Sequence, residues 1–137
     1  MRRLILALLL LLSLAAPADA AEAVAETFAA PADKVWSTTL NVLKHLGWDI
    51  DKADRDIGWI TTDSRRVEGE NFGVYEKGTR HRLRIHVKAA GDARSTVSIE
   101  RSLFKRERIL FVDKDEPVTT TDRQVERDVL AAIKKSL

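Results

Sequence analysis

After its first twenty residues the chain shows two hydrophobic periods, one of helical spacing at either end and one of strand spacing between. A short extended stretch, Val24 to Phe28, leads to Ala30-Pro31-Ala32-Asp33, which reads as a helix start. Proline in the first turn loses no hydrogen bond, and an acid there faces the positive end of the helix dipole. Val35, Thr39, Val42 and Leu46 then recur at helical spacing, flanked by Trp36, Leu40 and Leu43, until Gly47 ends the helix. Lys34, Thr38, Asn41 and His45 share the opposite face, which makes His45 a solvated surface residue.

From Trp48 the period falls to two. Trp48 to Asp51 and Gly58 to Asp63 predict an antiparallel hairpin around a turn at Lys52 to Asp56. A long strand follows from Thr79 to Ala89, with His81, Leu83, Ile85 and Val87 on one face and Arg80, Arg82, Arg84, His86 and Lys88 on the other. Beyond the turn Ala90 to Ala93, the stretch Ser95 to Leu103 alternates again, and Arg101 interrupts its apolar set, which predicts a strand end or a bulge there. Lys105 to Pro117 yields only a short strand at Ile109 to Val112 and a charged turn. In the last segment Thr121 and Gln124 match a capping box, Val125, Val129, Ala132 and Ile133 make an apolar stripe, and Lys134-Lys135 close a helix.

The expected fold class is α+β, a helix-grip of order β-α-β-β-β-β-(β)-α with an antiparallel sheet curved around a long helix. Its core is expected to contain Val35, Leu43, Leu46, Ile60, Leu83, Ile85, Val97, Ile99, Val129 and Ile133.

The first twenty residues follow another rule. Arg2-Arg3, the apolar run Leu4 to Leu14 and Ala18-Asp19-Ala20 have the charge, length and cleavage site of a secretory signal peptide, with the mature chain starting at Ala21. Eleven residues are too few for a membrane-spanning helix, which needs about 20. The apolar run follows the arginines at once, which favours the general secretory route over twin-arginine export. The chain has no cysteine, so a disulfide framework, thiolate metal ligands and the acylated cysteine of a bacterial lipoprotein are excluded. Residues 21–137 are then expected to be one soluble domain of 117 residues, long enough to bury a single core. Without Arg2, Arg3 and Asp19, that domain has 21 basic and 20 acidic side chains, a net charge of +1 that argues against a nucleic-acid partner.

Catalytic and metal constellations are not found in the sequence. His81 and His86 lie five apart on one strand and so face opposite sides of the sheet. Asp49, Asp51, Asp54 and Asp56 lack the glycine and terminal glutamate of a calcium loop, and Gly73 to Thr79 imitates a phosphate loop without its lysine or following helix. The expectation is a protein that is not an enzyme and takes no cofactor or metal. Two features carry candidate interactions. The stripe Arg80, Arg82, Arg84, His86 and Lys88 suits an anionic membrane surface or acidic envelope protein. It suits better a solvated sheet face paired with Glu100 and Asp63, at ~0.2–1 kcal/mol per pair. The segment Glu68 to Gly78 reads as a glycine-punctuated hairpin loop, whose Phe72 and Tyr75 either anchor a protein contact or fold back over the sheet.

The run Ala30 to Asp63, "APADKVWSTTLNVLKHLGWDIDKADRDIGWITTD", resembles the repeated unit of the C component of the outer-membrane β-barrel assembly machinery, the BamC-like family. Val35-Trp36, Leu46-Gly47-Trp48, Asp54, Gly58 and Ile60 carry the likeness, and the closing segment Thr121 to Ile133 suits it. This resemblance implies a helix-grip domain in the periplasm of a Gram-negative bacterium with a protein-binding role at the outer membrane. The opening Ala30 to Trp36 also resembles START-like, Bet v 1-type domains, which would imply a carrier of an apolar ligand or lipid. At 117 residues the mature chain is short for such a carrier, and the grip is expected to be filled by its own side chains.

Overall fold

The computed structural model describes residues 22–137, so the segment read as a signal peptide lies outside the described residues. The order is β1 (Val24–Phe28), α1 (Ala32–His45), β2 (Ile50–Asp54), β3 (Trp59–Thr62), β4 (Arg65–Asn71), β5 (Glu76–Ala89), β6 (Ser95–Ile109), β7 (Val112–Val118) and α2 (Gln124–Ser136). The class is α+β, with six strands rather than four or five between the helices. Every strand pair is antiparallel, within one seven-stranded sheet.

The hairpin β5–β6 organises this sheet because each of its strands is long enough to take two partners along its outer edge. β5 pairs with β3 across Arg84–His86 and with β4 across Glu76–His81. Likewise β6 pairs with β1 across Ser95–Ile99 and with β7 across Leu103–Ile109. The result is a proximal half in the order β1-β6-β5-β3-β2 and a distal half in the order β4-β5-β6-β7. Helices α1 and α2 pack on each other and on β1, β5 and β6.

The core lies between these helices and the proximal half. Val35 and Leu43 of α1, Ile60, Leu83, Ile85, Val97 and Ile99 of the sheet, and Val129 and Ile133 of α2 are all buried. Leu46 departs from expectation and is 38 % exposed. The helix ends at that residue. Gly47 takes φ +85°, its N–H donates to Lys44 O, and the Trp48 N–H donates to Leu43 O. This paired closure turns the chain sharply and buries Trp48 in place of Leu46. The polar face of α1 keeps His45 exposed.

Several other boundaries are corrected. β2 continues through Asp54 before the chain turns, whereas Trp48 precedes the strand. The segment expected as a loop from Glu68 to Gly78 is mostly strand, because β4 extends to Asn71 and β5 starts at Glu76. Gly69 and Gly78 face each other across that pair, and a Cβ on Gly69 would come within 2.4 Å of the Gly78 Cα. Arg101 neither ends its strand nor bulges it, since the β5–β6 register is unbroken from Glu76–Arg108 to Ala89–Ser95. Ile109 to Val112 is a turn between strands, not a strand of its own. At the last helix the expected capping box is absent: Gln124 is the first helical residue, its N–H donates to Asp122 Oδ1 at 2.9 Å, and its side chain donates to Asp128.

Candidate functional site

Strand alternation assigns each residue of β5 and β6 to a face, and on the helix side the character changes at one level. Leu83, Ile85, Val97 and Ile99 are apolar and buried; one step further out stand His81 and Arg101, then the exposed Lys77, Lys105 and Glu107. The distal half therefore carries charge where the proximal half carries its core. Across its four strands the row Glu70, Lys77, Glu107, Lys114 alternates in sign, each residue directly opposite the next.

The boundary is closed by a buried polar cluster. Arg101 Nε donates to Glu126 Oε1 at 2.8 Å, and the Glu126 side chain, in the first turn of α2, is fully buried. Arg101 also donates to Asp122 O at 3.1 Å, and its Nη1 lies 3.4 Å from His81 Nδ1. From the other side Arg65 Nε lies 3.3 Å from His81 Nε2, while its Nη1 donates to Leu46 O. The Arg65 guanidinium covers the Trp48 ring at 3.7 Å, and His81 packs against the same ring at 4.8 Å between centroids. A neutral imidazole has one lone-pair nitrogen, so only one of its two guanidinium contacts can be a hydrogen bond. Burial lowers the His81 pKa to about 4, with Arg101 and Arg65 adding repulsion.

That shift has a measurable sign. The unfolded chain takes up the His81 proton near pH 6.5 and the folded chain only near 4, so folding stability is complete above about 6.5 and falls as pH drops towards 4. The urea midpoint of the wild type should decline through that window, and His81→Gln should remove much of the decline. Parallel pH profiles for the two proteins would show that another group is responsible. The carboxyls of Asp113 and Asp115 are held below their ordinary value by hydrogen bonds from Arg108 and Arg106, so their contribution is lost below the His81 window.

The other face of the sheet carries the basic stripe. Arg80 is occupied, bonded to Glu76 at 2.7 Å and to Ser64. His86 stacks on Trp59 at 4.3 Å and makes a hydrogen bond with Ile57 O. The Arg84 guanidinium lies over the same Trp59 ring, 4.2 Å from its centroid, and Arg82 covers Phe104 at 4.9 Å. Among the described residues Arg82, Arg84 and Lys88 form no ion pair; Arg84 stands directly opposite Glu100 across β5–β6, as expected, but Asp63 lies beyond the β3–β5 register. His81 and His86 stand on opposite faces, as their spacing requires.

Among the described residues, six of the nine exposed large hydrophobic side chains lie at the distal end of the sheet. Phe72 and Tyr75 flank the β4–β5 turn and are 70 % and 49 % exposed. Beside them Ile109 and Val112 pair at the end of β6–β7, joined by Leu110 and Phe111 alone. Those two residues take φ of 51° and 65°, and their exposures are 64 % and 77 %. A two-residue turn with both φ values positive is ordinarily made by Asn-Gly or a similar pair. Leucine and phenylalanine are poor choices there, each costing of order 1–3 kcal/mol. The two turns are tied together by the Phe111 N–H, which donates to Val74 O, and the β4–β5 turn is closed by the Phe72 N–H donating to Tyr75 O.

Leu110 and Phe111 escaped the reading of the sequence, although a signal was present. Counting outward from them, Arg108 meets Asp113, Glu107 meets Lys114, Arg106 meets Asp115 and Lys105 meets Glu116, four opposite-charge pairs in succession. Two are realised as forked guanidinium–carboxylate contacts, Arg106–Asp115 and Arg108–Asp113. Such a mirror of charges is what a hairpin centred on Leu110-Phe111 requires. Comparison with known proteins gives no family match and no match to a curated sequence.

Proposed function

We propose that the chain is a non-enzymatic interaction module of the bacterial envelope, a helix-grip domain of the BamC-like kind that makes its contact through the apolar end of the distal sheet. The observation that carries this is the Leu110-Phe111 turn. Its backbone conformation is locally costly and its two residues are more than 60 % exposed, so the chain gains little burial from them on its own. A binding partner supplies that burial. The rival carrier role is disfavoured by the interior, where Val35, Leu43, Ile60, Leu83, Ile85, Ile99 and Ile133 belong to one buried apolar cluster between helices and sheet. Export by the N-terminal segment would place the module in the periplasm.

A second reading has its own support, since Arg82, Arg84 and Lys88 are exposed cations without ion-pair partners among the described residues. They would receive an acidic protein or an anionic surface on the opposite face. One experiment separates the two. A photo-crosslinking residue at position 111, in protein expressed with its leader in a Gram-negative host, should give adducts with envelope components, whereas the same group at exposed Arg127 should not. Adducts from position 82 and none from 111 would move the contact to the basic face.

A further inference from the structure

We infer that the distal tip is an interfacial membrane anchor, whose occupant is the headgroup and upper acyl region of a lipid bilayer. This rests on the reading of the tip as the contact surface, and it specifies the partner.

The apolar cap is made of two tetrapeptides, Phe72-Gly73-Val74-Tyr75 and Ile109-Leu110-Phe111-Val112, with no charged side chain in either. On all four strands the next residue outward is polar: Asn71, Glu76, Arg108 and Asp113. The apolar zone is therefore a turn plus one residue pair deep, about 5 Å at the usual rise per strand residue. Interfacial segments bury their apolar surface ~5–10 Å into a bilayer. Tyr75, half exposed at the edge of the cap, supplies the amphipathic ring that favours headgroup depth.

Two further features favour lipid over a protein pocket. The six large apolar side chains of the cap, on two adjacent turns, are 49–77 % exposed, and a fluid interface accepts such a tip without a matching cavity. Its backbone is also prepared for an apolar medium, because the two turns bond to each other through Phe111 N–H and Val74 O, and Phe72 N–H is bonded to Tyr75 O. The charges behind the cap are internally matched, with Arg108 bridging Glu76 and Asp113. Attachment should therefore be driven by apolar burial and not by lipid charge. Among the described residues no helix is long and apolar enough to cross a membrane.

The test uses the processed chain in cosedimentation with vesicles of pure phosphatidylcholine and of phosphatidylcholine with phosphatidylglycerol, each at low and high salt. Binding to both compositions with little salt dependence is expected. Leu110→Asn with Phe111→Gly installs the residues the turn prefers, so the fold should melt no lower than the wild type while vesicle binding falls at least about tenfold. Arg82→Gln with Arg84→Gln should bind as the wild type does. Binding confined to anionic vesicles and abolished by salt would overturn the inference, as would a solution dimer dispersed by the turn substitutions, which would make a second copy the occupant. Failure to bind vesicles, with crosslinks from position 111 to a protein, would overturn the lipid assignment and leave the contact surface standing. Absence of both would remove the two together.

Discussion

Replacing Glu126 by alanine should destabilise the protein by about 3–5 kcal/mol, because it leaves the Arg101 guanidinium buried without its counter-charge. Arg101 is 6 % exposed and Glu126 fully buried, and the contact between them fixes the first turn of α2 to the centre of β6. Glu126 Oε2 accepts no hydrogen bond among the described residues and lies 3.7 Å from Arg123 Nε, so the carboxylate depends heavily on Arg101. The comparison that isolates the charge is the double variant Arg101→Met with Glu126→Leu. Buried ion pairs exchanged for apolar residues of similar volume are often neutral or better, so the double variant should recover most of what Glu126→Ala loses. Urea unfolding of the three proteins decides it. A loss below about 1 kcal/mol for Glu126→Ala would mean that solvent reaches Arg101 and the cluster is not closed.

The parts of this fold that were legible from sequence are those where a single period reports a single environment. On β5 the alternation of His81, Leu83, Ile85 and Val87 with Arg82, Arg84, His86 and Lys88 matches the observed faces because helices cover one side there and none of that pattern is interrupted. Arg101 misled because a charge at an inward position was weighed against a strand, when its answer was a carboxylate 25 residues away on α2. Glu126 drew no attention in the sequence, since a first-turn acid is ordinarily solvated. The distal half was harder still. With no helix above it, β4 and β7 have no apolar face and hence no hydrophobic alternation to detect; their register resides in cross-strand charges instead. The candidate site suffered most, because Ile109 to Val112 is apolar enough to resemble a buried strand, and only the mirrored charges on either side mark it as an exposed turn.

Ile85→Ala should cost about 2–5 kcal/mol, the sum of lost transfer energy and the cavity left behind. Ile85 has no exposed surface and lies mid-sheet, opposite Ile60 on β3 and Ile99 on β6, so strands on both sides limit how far the site can collapse. Its neighbour Arg84 supplies the contrast. That side chain lies on the other face, exposed, with its guanidinium 4.2 Å from the Trp59 centroid, an interaction worth about 0.5–1 kcal/mol at such a site. Arg84→Ala should therefore lower the thermal midpoint only slightly, and much less than Ile85→Ala does. Equal shifts in the two melts would mean that the outer face is packed as tightly as the core, and the basic stripe would then be a structural element covering Trp59 with no surface left to offer a partner.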